Sequence, residues 1–351
     1  MQFVDFLLSV YRALPAAVSQ GVLWGLITLG VYISFRLLNM ADMTVDGSFA
    51  AGGAVTAVLI THGMDPYLTL VFVFIVGLLC GLMTGFMTTK MRINILLAGI
   101  LSQIALYSIN IRIMGRPNTP LIGSPTMMTK FTKGVTDLFA RIKGIEINVD
   151  NPAYKELVNG MKKTLSPTIV SLILGVIIVA LIIYVVYLFF GTEYGSAIRA
   201  TGSNENMVRA LGVNTDMTKI CGLMISNGLV ALSGAFVAQS QGYGDVLMGQ
   251  GAIVSALASI IIGEVIFGTR FGLWWSLIAV VCGSIVYRIV IATALAIPGF
   301  KPTDLKVITA VIVAIALSVP VMKNAINKRR RAYFGPANEK DTRHADDNFK
   351  H

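Results

Sequence analysis

The sequence predicts an all-α, polytopic membrane protein of about nine transmembrane helices. Three observations carry this. Hydrophobic residues make up 55% of the 351 and charged residues only 13%, with a mean hydropathy of +0.74. A soluble domain of this size cannot bury that much apolar surface. The apolar residues fall into runs of bilayer length at 15–38, 46–62, 67–90, 94–113, 168–190, 217–239, 250–268, 272–295 and 303–322. Short basic connectors recur after every second run: Lys90 with Arg92; Arg199, Arg209 and Lys219; Arg270; and Lys323, Lys328, Arg329, Arg330 and Arg331. An odd number of spans puts all of them in the cytoplasm and the N-terminus outside.

Met1–Leu14 carries Phe3, Phe6, Leu7, Val10 and Tyr11 at helical spacing and reads as an interfacial helix. It lacks the basic start and small-residue cleavage pattern of a signal peptide. The region 15–322 then forms the transmembrane domain. Its second and seventh spans are the shortest and richest in glycine. Gly77, Gly81 and Gly85 make a smooth face on the third span, suited to close helix packing. Gly115–Pro167 is an extracytoplasmic loop; it is basic, but long loops are largely exempt from the charge rule. Residues 191–216 form a cytoplasmic connector and 323–351 a basic cytoplasmic tail.

Polar groups inside spans are costly unless they face a partner or a cavity. Ser102, Gln103 and Asn110 on the fourth span qualify, as do Ser226, Asn227 and Gln239 on the sixth. Interhelical hydrogen bonding and contact with a solute are both open to them. Glu264 is expected to snorkel or pair with Arg270, and Arg288 to pair with Asp304.

Spans one to four and six to nine superpose in order, with the fifth as an odd linker. In each half the short second member follows a polar, glycine-containing lead-in, Asp42–Gly47 and Gly242–Gly251. The halves would then run in opposite senses. That is the inverted repeat of many transporters, whose broken helices point their ends at a solute near the midplane.

The connector GTEYGSAIRATGSNENMVRALGVNTD contains a small amphipathic helix with its own start and stop. Ser203 or Asn204 caps it, and Glu205 lies in the first turn, where the dipole favours an anion. Met207, Val208 and Leu211 share a face, and Gly212 ends it. At roughly eight residues, about 12 Å, it is too short to span a bilayer and suits a groove on another protein.

Asp42–Ser48 lies between two apolar spans without the lysines and arginines of an ordinary cytoplasmic connector. Gly47 lets the backbone turn or a neighbour approach, and Thr44 or Asp46 can cap the second span. The segment is expected to fold back and set a helix N-terminus beside the solute path. Its N–H groups would suit a solute carboxylate, while Asp42 or Asp46 would meet an amino group or hold Arg36. The plain alternative is a capped turn at the membrane surface. Asp42, Thr44, Asp46, Ser48, Gln103, Asn110, Asn227 and Gln239 are the candidate lining of the path.

Ile198-Arg199-Ala200, Gly202, Asn204 and Arg209-Ala-Leu-Gly-Val213 resemble the coupling loop of ABC-importer permeases that move branched-chain amino acids, ribose and related solutes. Asp42-Met-Thr-Val-Asp-Gly-Ser48 is similar to that family's entry to its second span. Leu97–Ser102 and Tyr107–Gly115 resemble its fourth, and Tyr287-Arg288 with Asp304-Leu-Lys306 its last two. The resemblance covers most of 15–322 and is nearest to a subgroup of amino-acid permeases, aromatic amino acids among their solutes. It implies the ABC-importer permease fold and a homodimer in a bacterial inner membrane. It also implies two cytoplasmic ATP-binding subunits, which carry ATP and magnesium, and an extracytoplasmic solute-binding protein. Arg199, Gly202, Ser203, Asn204, Met207, Val208, Arg209, Leu211 and Gly212 would couple to the ATPase.

The remaining classes recede. The chain has no phosphate-binding Gly-x-x-x-x-Gly-Lys-Ser/Thr motif and no Gly-x-Ser-x-Gly elbow, and no histidine lies deep within a span to activate a serine. Its net charge of +10 sits largely in connectors and tail, which orients it in lipid and does not mark a nucleic-acid binder. Cys80, Cys221 and Cys282 lie in separate apolar runs, without metal spacing. A proton- or ion-coupled secondary transporter is the main alternative, and deep acidic or histidine residues, its usual mark, are scarce.

Overall fold

The computed structural model describes residues 2–143, 147, 151–164, 166–268, 272–297, 307, 309–311, 313, 314 and 318. The chain begins with α1 (Gln2–Val31), one helix that runs through Pro15 and on into a π-helical turn, Tyr32–Leu37. No break separates an interfacial start from the first span. Then come α2 (Thr44–Thr61), α3 (Pro66–Thr89), α4 (Ile95–Met114), β1 (Asn118–Pro120), α5 (Met127–Ile142) and α6 (Pro152–Thr164). The second part holds α7 (Pro167–Gly191), α8 (Glu193–Ser203), α9 (Glu205–Ala210), α10 (Thr215–Gln241), β2 (Tyr243–Asp245), α11 (Ala252–Phe267) and α12 (Leu273–Leu295).

Among the described residues seven helices are long and apolar enough to cross a membrane, so the protein is a multi-pass, all-α membrane protein. The 16-residue α11 is the seventh expected span. At about 24 Å it is shorter than a ~30 Å hydrocarbon core. Most of the ninth, 303–322, lies outside the described residues; Val313 packs with Ala258, Tyr287 and Ile291.

The core is built around α10, which packs against α1, α2 and α3. Small residues permit this. Gly77, Gly81 and Gly85 of α3 face the backbone of α10 at Asn227, Leu223 and Ile220. The packing role expected of this stripe is what it has. By contrast α4 and α7 leave rows of apolar side chains uncovered, Ile100, Ile104, Ile177 and Leu181 among them. In a bilayer such rows meet lipid or another protein.

Outside the spans, β1 pairs antiparallel with β2, Thr119 opposite Gly244, and so ties the loop after α4 to the end of α10. A capping box at Thr126 starts α5. Lys130 of α5 pairs with Asp65, at the turn between α2 and α3.

Of the expected ion pairs, that of Arg36 changes partner, and the other two each include a residue outside the described ones. Glu264 is held by Arg36, Nε to Oε1 at 2.8 Å and Nη2 to Oε2 at 3.0 Å. This replaces the contact of Arg36 with Asp42 or Asp46; a planar guanidinium fits a carboxylate in two bonds at once. Arg270 lies outside the described residues. Arg288 stacks on Trp24 with its guanidinium 3.8 Å from the ring centroid. Asp304, its expected partner, also lies outside the described residues.

Candidate functional site

Two lead-ins descend between helices and meet. After the turn at Leu38 the chain reaches Met43, which packs on Gly99 of α4, and α2 starts buried inside the bundle. Thr44 Oγ1 lies 2.6 Å from Thr84 Oγ1, and Thr84 donates to Ser102 Oγ at 2.9 Å. Ser102 is seven residues into α4, about 10 Å along it. Residues 246–251 come the other way, past Gly53 and Ala50, to the first turn of α2. A side chain on Gly249 would strike the Asp46 carbonyl. There the Asp46 carboxylate caps α11: Oδ2 accepts from Gly251 N–H at 3.0 Å and Oδ1 from Ile253 N–H at 2.9 Å. The starts of the two short helices, α2 and α11, are thus joined at Asp46. A plain surface turn at Asp42–Ser48 does not describe this geometry.

The eight candidate path residues divide into three groups. Asp42, Thr44, Ser48 and Asn227 form a closed internal network, all at most 1% exposed. Asp42 Oδ1 accepts from Thr44 N–H at 2.9 Å and Oδ2 from Asn227 Nδ2 at 2.7 Å. Ser48 donates to Asn227 Oδ1 at 2.6 Å. These donors satisfy the buried carboxylate. Asp46, Gln103 and Asn110 instead line a cavity of about 50 Å³, with Tyr107, Leu247 and Gln250. Asn110 donates to the Gly47 carbonyl at 3.3 Å, while its own Oδ1 has no partner. Gln239 belongs to neither group: its Oε1 accepts from Met127 N–H at 2.9 Å and holds the start of α5. Sequence reasoning missed Tyr107 and Gln250. Tyr107 was legible as one turn from both Gln103 and Asn110, and Gln250 as part of the second lead-in.

A larger cavity, about 830 Å³, lies elsewhere, between α5, α6 and the start of α7. It is lined by Met128, Thr132, Tyr154 and Val158 and shares none of them with the Asp46 cavity.

The connector after α7 folds into two helices, α8 and α9, not one. Asn204 closes α8 and caps α9, its Oδ1 accepting from Met207 N–H at 3.1 Å. Ser203 is the last residue of α8, so of the two cap candidates Asn204 is the one used. The expected apolar face splits. Val208 turns inward at 2% exposed, whereas Met207 and Leu211 are 49% and 74% exposed. Arg209 is engaged within the unit, donating to Glu205 at 3.0 Å and to Thr215 at 2.9 Å. The Lys219 ammonium, 2.6 Å from Glu205 Oε2, holds that carboxyl below its usual range. Ile198 is fully buried under α8, while Arg199 keeps a buried Nε without a partner. Gly202 packs so closely on the Leu37 carbonyl that no side chain fits there. Gly212 follows the unit at φ 83°, a backbone that favours glycine. The connector therefore rests directly on the segment that leads to Asp42 and α2.

Among the described residues no cluster of histidine, cysteine or carboxylate side chains is placed to hold a metal ion.

The family described as "Branched-chain amino acid transport system / permease component" matches residues 14–317. A tyrosine transport system permease protein of Clostridioides difficile is 34% identical over 325 residues, 93% of this chain and 97% of that protein. A probable branched-chain amino acid transport permease protein of Methanocaldococcus jannaschii is 25% identical, over 71% of this chain and 73% of that one. A ribose import permease protein of Haemophilus influenzae is 23% identical, over 74% and 69%. No solved structure matches at a significant level. The match across the whole transmembrane region, on a bundle of this architecture, shows that the chain belongs to the family of ABC-type transport permease components.

Proposed function

We propose that this chain is the membrane-spanning subunit of an ATP-driven importer whose solute is an amino acid. Two copies pair, and the solute crosses beside Asp46, at the junction of the two lead-ins. Cytoplasmic ATP-binding subunits, which carry the ATP and magnesium, dock on α8–α9 of each copy. An extracytoplasmic solute-binding protein delivers cargo to the face that includes Gly115–Pro167. The rows of uncovered apolar side chains on α4 and α7 meet lipid or the second copy.

The observation that carries the reading is the exposed pair Met207 and Leu211, presented by a short helix outside the spans and braced from beneath by Val208. Apolar side chains held there serve no internal packing and suit a partner's groove. Contact of Gly202 with Leu37 supports coupling, because movement of the docked unit reaches α2 through five or six residues. The amino-acid class is supported by the 34%-identical relative, a permease named for tyrosine.

The test is uptake in proteoliposomes containing the chain, its cognate ATPase and its binding protein, with labelled tyrosine, leucine and ribose. ATP-dependent uptake of an amino acid is expected, and the chain alone should hydrolyse no ATP. Uptake driven by a proton or sodium gradient without any ATPase would overturn the importer reading.

A further inference from the structure

We infer that the cavity beside Asp46 receives a primary ammonium group, that of the carried solute; this rests on the importer reading above. Every polar side chain of its lining can accept, and only Asp46 is charged. Asp46, Gln103, Tyr107, Asn110 and Gln250 can each accept a hydrogen bond, and no lysine or arginine among the described residues lines it.

Two of the acceptors are fixed and unspent. Asn110 is fully buried, and its amide orientation is set by donation from Nδ2 to the Gly47 carbonyl. That leaves Oδ1 as a buried acceptor with no donor among the described residues. A buried polar atom in that condition is costly unless a ligand or water completes it. Asp46 is held by the Gly251 and Ile253 N–H groups, with that of Ala252 beside them, so of its roughly four acceptor sites at least one remains. An ammonium group has three donors. Asp46 and Asn110 take two, and Gln103, Tyr107 or Gln250 the third.

Size and charge agree. About 50 Å³ has room for roughly three or four water molecules, enough for an amine head and not for a whole amino acid. The half-exposed ring of Tyr107 stands at the rim, where the rest of the solute would lie. At the start of α2, where the sequence placed N–H groups for a solute carboxylate, the Thr44 N–H is taken by Asp42 Oδ1. The N–H groups at the start of α11 do not await a solute carboxylate, because Asp46 already occupies them. The solute therefore presents its amine to this junction, and its carboxylate is read elsewhere.

The test uses the full chain in lipid nanodiscs. Leu247, half-exposed on the cavity wall, is changed to cysteine in a Cys221→Ser, Cys282→Ser background, and its labelling by a maleimide is timed. Methylammonium, tyramine and L-tyrosine should slow labelling. The des-amino analogue of tyrosine, tetramethylammonium and sodium at matched ionic strength should not. Asp46→Asn should raise the half-protecting amine concentration about tenfold, the worth of one charge-assisted hydrogen bond. Asn110→Ala should raise it less. Equal protection by the des-amino analogue, or by sodium or tetramethylammonium, would overturn the assignment, and so would unchanged protection in both variants. Should Asp46→Asn fail to fold, Asn110→Ala and the analogue series on the intact cavity still decide. ATP-driven amino-acid uptake without amine protection would leave the importer reading standing and remove this one.

Discussion

Asp42 is a carboxylate sealed in the bundle, paired with no basic side chain among the described residues. Its two oxygens answer to Thr44 and Asn227, so its loss strands both donors. Asp42→Ala should cost about 1–3 kcal/mol, the penalty of an unsatisfied buried donor, and lower the melting temperature of the solubilised protein. Ser48→Ala should cost less, since Asn227 keeps its bond to Asp42. Neither change should alter the response to amines at Asp46. The Arg36–Glu264 pair is half solvated on the arginine side, so a double-mutant cycle to alanine should return a coupling of about 1 kcal/mol or less. Glu205 sets a pH dependence. Its folded-state pKa is lowered by Lys219 and Arg209, so the pair's stabilisation is complete above about pH 4.5, its ordinary value. It is lost as pH falls through the lower, folded value. Melting curves should show this acid limb, and Glu205→Gln should flatten it. That these residues are polar and lie within or beside spans was legible in the sequence. Which of them face each other was not, because helical spacing fixes a face and says nothing of the neighbouring helix.

At the scale of the element, α9 shows the same limit. Asn204, Glu205 and Gly212 announced its start and stop, and all three hold their places. Periodicity grouped Met207, Val208 and Leu211, yet the base on which α9 sits covers only Val208. The two sides predict different failures. Leu211→Asp and Met207→Asp should abolish copurification with the ATPase while expression and insertion survive. Val208→Asp buries a charge and should unfold the unit itself, read as lower expression or faster proteolysis near residues 203–213. If Leu211→Asp still assembles fully and transports normally, the docking surface lies elsewhere.

For the molecule as a whole, the first eight expected spans fall on helices, because hydropathy over a bilayer length is a strong signal. The meeting of two lead-ins at one aspartate had no such signal, since it joins residues about two hundred positions apart. Sidedness is open to direct measurement. Cysteine at Ile122, 90% exposed, should react with an impermeant reagent from outside, and cysteine at Leu211 only from the cytoplasm. The burial of α2 also bears on how the chain is made. Its mean hydropathy of 1.3 is the lowest of the seven long helices, and it carries Asp46. Its successor α3 reaches 2.5, and only His62–Asp65 lies between them. Alone at the translocon, α2 is a poor substrate for lipid, because nearly everything that suits it to the bundle unsuits it to hydrocarbon. It should enter as a hairpin with α3. A nascent chain truncated before residue 66 should therefore leave α2 unintegrated, and extension through Thr89 should integrate both, read by a glycosylation-site reporter.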